Sequence, residues 1–132
     1  MRALLSPRIH GYIDYLAVGL LALAPTLFNF SGVAAGLCYG LAVVQLGMSL
    51  LTAYPLGVAK LLPFTIHGTI EVITSVALVA APFLFGFSDV ASARNFFIIG
   101  GIGLFLVWAV TNYKAAERPM HRMGMRTRRI HA

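Results

Sequence analysis

Two hexapeptides decide the reading of this chain: Ile9-His10-Gly11-Tyr12-Ile13-Asp14 and Ile66-His67-Gly68-Thr69-Ile70-Glu71. Each opens a long apolar stretch, and the second repeats the first at an offset of 57 residues. The match extends outward. Ala24-Pro25 corresponds to Ala81-Pro82, and Leu27, Phe28, Phe30 and Ser31 correspond to Leu84, Phe85, Phe87 and Ser88. Two extra residues in the later loop move the offset to 59, where Thr52 and Tyr54 match Thr111 and Tyr113. Self-similarity at a fixed spacing marks a duplicated structural unit.

Four apolar segments lie within this repeat, at about residues 9–27, 33–54, 64–84 and 95–113. Each is roughly 19–22 residues long, enough to cross a hydrocarbon core of about 30 Å at 1.5 Å per helical residue. They run continuously instead of alternating with period two, which selects helices over strands. Of 132 residues, 59% are hydrophobic and 11% charged. Soluble domains carry about 25% charged residues, so most of this surface must face lipid. Backbone in lipid has to satisfy its hydrogen bonds internally, as helices do. The expected fold is therefore an all-α membrane protein: four transmembrane helices built from two tandem parallel two-helix repeats, residues 1–57 and 58–114, with a basic tail over 115–132. Parallel repeats are related by an axis along the membrane normal, so matched positions share a depth and face each other.

Local signals agree. Ser6-Pro7 offers an N-cap followed by a proline whose missing N–H costs nothing in a first turn. Pro25 and Pro82 fall near the far ends of the first and third segments, and Pro55-Leu56-Gly57 closes the second. Arg2, the first apolar run and Ala22-Leu23-Ala24 resemble a signal peptide, but Pro25 is a poor residue after a cleavage site and Ala-Pro recurs in mid-chain. The first segment reads as a retained helix. The single cysteine, Cys38, permits no intrachain disulfide and reads as a small buried hydrophobe.

Charge sets the orientation. The net charge is +6. Arg2, Arg8, Lys60 and the six tail cations Lys114, Arg118, Arg122, Arg126, Arg128 and Arg129 fall on one side, and Arg94 alone on the other. This bias places both termini in the cytoplasm. Tyr12, Tyr15, Tyr54 and Tyr113 then fall towards the cytoplasmic interface, and Phe28, Phe30, Phe83, Phe85 and Phe87 towards the outer one, as aromatic belts. The basic tail reads as a contact for anionic lipid headgroups and not for nucleic acid, each cation near the surface contributing about 1 kcal/mol.

The chemistry-bearing residues are few. Two of the four acids, Asp14 and Glu71, lie inside apolar segments at matched positions, each four residues after a histidine, His10 or His67. Positions i and i+4 share a helix face. The repeat brings the two faces together, about two turns deep from the cytoplasmic side. A charge in the bilayer costs at least about 2.5–3.5 kcal/mol on insertion scales. Two histidines and two carboxylates suit a divalent transition metal, with His10, Asp14, His67 and Glu71 as ligands. The same groups can relay protons or bind a small cationic ligand. His10 and His67 alone suit axial ligation of haem b. A purely structural role, fixing helix register through His, Arg8 or protonated carboxylates, competes with all three. Gly32, Gly36 and Gly40 form overlapping Gly-xxx-Gly patterns for helix packing, either inside the bundle or between protomers of a homo-oligomer. A structural or interaction protein assembling through these glycines is the alternative function. The sequence carries no phosphate-binding glycine loop, serine nucleophile elbow or zinc-protease helix, and the reading leans away from an enzyme.

The stretch Ala81-Pro82-Phe83-Leu84-Phe85-Gly86-Phe87-Ser88, followed by Asn95 and Ile98-Ile99-Gly100-Gly101-Ile102, resembles the SPW repeat of small bacterial integral membrane proteins. Ala-Pro-Phe and Ala-Pro-Thr stand here where that repeat has Ser-Pro-Trp. The resemblance implies a two-helix unit and a multi-pass protein of the bacterial inner membrane. It supplies no catalytic residue.

Overall fold

A computed structural model describes residues 3–116. Arg2 and the tail cations from Arg118 onward lie outside the described residues. Among the described residues the chain is helical: α1 (Pro7–Leu27), α2 (Gly32–Leu51), α3 (Phe64–Leu84), α4 (Ala91–Val110) and a 3-10 turn over Tyr113–Ala116. α2, α3 and α4 are long and apolar enough to cross a membrane. α1 is as long as α3, but Arg8, His10 and Asp14 in its first turns lower its mean hydropathy.

Both hairpins close in the same way. Phe28 N–H bonds to Ala24 O at 2.8 Å and Phe30 N–H to Pro25 O at 3.0 Å, around Asn29 at φ 54°. Phe85 N–H bonds to Ala81 O at 2.9 Å and Phe87 N–H to Pro82 O at 2.9 Å, around Gly86 at φ 75°. A left-handed residue just past the helix lets the chain turn back onto the last carbonyls. Pro25 and Pro82 are thus inside the last turn of α1 and α3, and their carbonyls anchor the reversal. The turn also sends Phe30 and Phe87 inward. Both are 7% exposed and join Ala24, Ala35, Cys38, Ala81, Ala93 and Phe97 in the apolar core of that end. This corrects their expected place in an interfacial belt, where Phe28, Phe83 and Phe85 do stand exposed.

Two helices end earlier than hydropathy indicates. α2 stops at Leu51 and α4 at Val110, short of the expected Tyr54 and Tyr113, while α4 begins at Ala91, ahead of Asn95. Thr52 and Thr111 leave the helix in extended conformation, at φ -74°, ψ 139° and φ -87°, ψ 137°. Backbone straps hold them there. Leu61 and Leu62 N–H both bond to Leu51 O at 2.8 Å, and Ala53 N–H bonds to Leu62 O at 2.7 Å. Likewise Leu4 and Leu5 N–H bond to Val110 O at 2.7 and 2.9 Å, and Asn112 N–H bonds to Leu5 O at 2.9 Å. The segment entering α3 is thereby tied to the end of α2, and the segment entering α1 to the end of α4. α1 packs on α2 and α3 on α4, and these straps tie the two hairpins together at one end.

Burial repeats in register. α1 buries His10, Gly11, Asp14, Ala24 and Pro25, while α3 buries His67, Gly68, Glu71, Ala81 and Pro82. α2 buries Ala34, Cys38 and Ala42, against Ala93, Phe97 and Gly101 on α4. Small residues there bring backbones close: a Cβ on Gly101 would stand 2.7 Å from Ser75 O. At Gly32, Gly36 and Gly40 a Cβ would meet nothing within 4 Å, so these glycines face away from the bundle and make no internal close contact.

Candidate metal centre between α1 and α3

The first turns of α1 and α3 bring His10, Asp14, His67 and Glu71 into one buried cluster. Both histidines are 0% exposed, Asp14 2% and Glu71 3%. Burial keeps both histidines away from headgroups and bulk water. Arg8 is exposed and takes no part. One ligand atom from each of the four residues lies within 4.8 Å of all the others. His10 Nε2 stands 3.2 Å from Asp14 Oδ1 and 3.3 Å from Glu71 Oε2, and His67 Nε2 stands 3.4 Å from Asp14 Oδ2. Close as they are, these contacts are not hydrogen bonds: both Nε2 atoms and Glu71 Oε1 are buried without a hydrogen-bond partner. Such orphaned groups are rare in folded proteins and call for a physical reason.

The opposite ring nitrogens explain how the imidazoles are aimed. His67 Nδ1 lies 2.7 Å from Thr52 Oγ1, and His10 Nδ1 lies 2.8 Å from Thr111 Oγ1. A threonine hydroxyl has a single hydrogen. Thr52 donates its own to Met48 O at 2.5 Å, and Thr111 to Val107 O at 2.6 Å. Each hydroxyl can therefore only accept from the histidine. Nδ1 must carry the proton, and in the neutral ring Nε2 presents its lone pair to the cluster. The stitching crosses between hairpins, because each histidine is held by the threonine that ends the other hairpin.

The carboxylates are fixed from their own hairpins. Tyr54 donates to Asp14 Oδ2 at 3.1 Å and Tyr113 donates to Glu71 Oε2 at 2.5 Å. Burial, reinforced by the adjacent carboxylate, pushes both phenols far above the usual tyrosine range, so they remain protonated donors. Gly11 and Gly68 make room for these rings. A Cβ on Gly68 would lie 2.7 Å from Tyr113 Cε1, and one on Gly11 would lie 3.0 Å from Tyr54 Cε2. Phe64 closes the cluster from below, its ring 5.1 Å from His10 and 4.6 Å from Tyr113.

Sequence reasoning found the four ligand candidates and missed their holders. Tyr54 and Tyr113 were expected at the membrane interface; they are turned inward onto the carboxylates because α2 and α4 end early. The available signal was the recurrence of Thr52-x-Tyr54 as Thr111-x-Tyr113. No protein-family model, curated protein or solved structure matches the chain.

Proposed function

We propose that this chain is a four-span membrane protein whose cluster binds one divalent transition-metal ion and clamps the two hairpins together. The observation that carries the proposal is the locked tautomer: both Nδ1–H groups are consumed by threonines, which leaves two Nε2 lone pairs beside two carboxylates. Metal-binding histidines commonly give their other N–H to a fixed acceptor in this way. The spacing supports the reading too. Metal–ligand distances of about 2.0–2.2 Å give a tetrahedron with edges of about 3.3–3.6 Å. His10 Nε2 lies 3.2 Å from Asp14 Oδ1 and 3.3 Å from Glu71 Oε2, close to that edge, while His67 Nε2 reaches the other Asp14 oxygen at 3.4 Å.

Charge points the same way. Two neutral imidazoles and two carboxylates leave an excess of two negative charges, which one divalent cation cancels. Mixed imidazole and carboxylate donors suit zinc, iron, nickel or copper. Four protein ligands, all buried, leave no position for substrate, the arrangement of a structural centre and not a catalytic one. Haem has no slot, since the His10 and His67 rings lie 5.6 Å apart and the carboxylates occupy the space beside their Nε2 atoms. Proton binding is the second reading. His10 Nε2 sits within 3.3 Å of both carboxylates, and two protons would close the same charge.

The same proposal takes α1 as the fourth span and residues 1–57 and 58–114 as tandem two-helix units. Matched straps, caps and burial support that division. The basic residues favour cytoplasmic termini, and the resemblance to the SPW repeat favours the bacterial inner membrane.

Elemental analysis of purified protein in detergent tests the site. The expected result is about one transition-metal ion per chain, lost in Asp14→Asn and Glu71→Gln. A metal-free sample whose melting is unaffected by metal or chelator would remove the metal reading and leave the proton one.

A further inference from the structure

At the end of the bundle that carries the cluster, a cavity of about 660 Å³ opens between the start of α1, the loop after α2 and the turn after α4. Ser6, Arg8, Tyr54, Lys60 and Ala115 lie in its wall. Among the described residues, the charged residues in its wall are Arg8 and Lys60, both cations and both exposed. The carboxylate that the Tyr54 hydroxyl reaches, Asp14, already faces both histidines. The cavity therefore presents net positive charge. That disfavours it as an entry path for a bare cation and suits an anion.

Lys60 is held in place. Its backbone is left-handed at φ 51°, between Ala59 N–H on Leu50 O at 3.0 Å and Leu61 N–H on Leu51 O at 2.8 Å. Flanking the cations along the chain, Leu4, Val58 and Leu61 are 76%, 77% and 77% exposed. Cations beside uncovered aliphatic side chains match a molecule with an anionic head and apolar tails.

We propose that this cavity seats the phosphate group of an anionic phospholipid, bound by Arg8 and Lys60, with its acyl chains against Leu4, Val58 and Leu61. The site shares Tyr54 with the surroundings of the cluster but uses none of its four candidate ligands. It is also distinct from diffuse attraction by the tail.

The test is native mass spectrometry of the full chain released from micelles containing equal phosphatidylcholine and phosphatidylglycerol. A background with Arg122, Arg126, Arg128 and Arg129 changed to Gln removes most of the tail charge and is expected to keep one phosphatidylglycerol. Adding Arg8→Gln and Lys60→Gln is expected to lower that retention by about tenfold or more, with helicity by circular dichroism unchanged. Equal retention in the two backgrounds would overturn the proposal. Glycerol 3-phosphate separates the sources. Weak binding of this soluble ester, with loss of lipid in Val58→Asn/Leu61→Asn, is expected. Binding of the ester as tight as that of the lipid would overturn the lipid assignment in favour of a free phosphate.

Discussion

Thr52 and Thr111 each spend their one hydroxyl hydrogen on a carbonyl a turn back, and that small commitment decides the tautomer of a histidine. Thr52→Val or Thr111→Val keeps the shape and removes the acceptor, leaving a buried ring N–H unpaired. Metal affinity, read by competition with a chromophoric chelator, is expected to weaken roughly 10–100-fold, with Ser restoring it. A second residue-scale prediction concerns Gly68. Its replacement by Ala drives a methyl group into the Tyr113 ring and displaces the hydroxyl from Glu71. Gly68→Ala and Tyr113→Phe are expected to lower affinity by similar factors in the same assay. His10, Asp14, His67 and Glu71 were legible in the sequence because acids in apolar helices are costly and their four-residue spacing from histidine recurs. The threonines and tyrosines were not, because their role depends on where the chain turns after its last helical residue, which hydropathy does not encode.

Helices α2 and α4 occupy matched places but use their glycines differently. Gly101 lies against the Ser75 carbonyl, and Gly101→Leu overpacks the α3–α4 contact, at a cost of about 1–3 kcal/mol measured by unfolding in detergent. Gly36→Leu and Gly40→Leu project into open space. They are expected to leave unfolding unchanged, and light scattering checks whether they alter the mass of a homo-oligomer. At this scale the apolar lengths gave the number and centres of the helices. Their ends escaped, since Leu4, Leu5, Leu61 and Leu62 form straps through backbone bonds that any side chain permits. The inward turn of Phe30 and Phe87 escaped for a related reason. It follows from one left-handed residue, Asn29 or Gly86, and not from the pattern of apolar residues.

Across the whole molecule, the cluster joins α1 to α3, so an ion there acts on global stability. Ligand at a hundred times its dissociation constant adds about 2.7 kcal/mol, and chelation is expected to lower the melting temperature of the parent but not of Asp14→Asn. Histidine and carboxylate groups bind a metal ion only in their deprotonated forms. Apparent affinity is therefore expected to rise with pH and fall on acidification, by about tenfold per pH unit for each proton released, as titration calorimetry in two buffers would measure. The cross-stitching has one more consequence. Thr111 holds His10 across 101 positions of sequence. During synthesis, the first hairpin is therefore complete with Tyr54 already able to serve Asp14 but with its imidazole unlocked. The imidazole is not secured until Thr111, at the end of α4, has left the ribosome. A copy that ends before Thr111 lacks the acceptor for the His10 Nδ1–H and leaves that buried group unpaired.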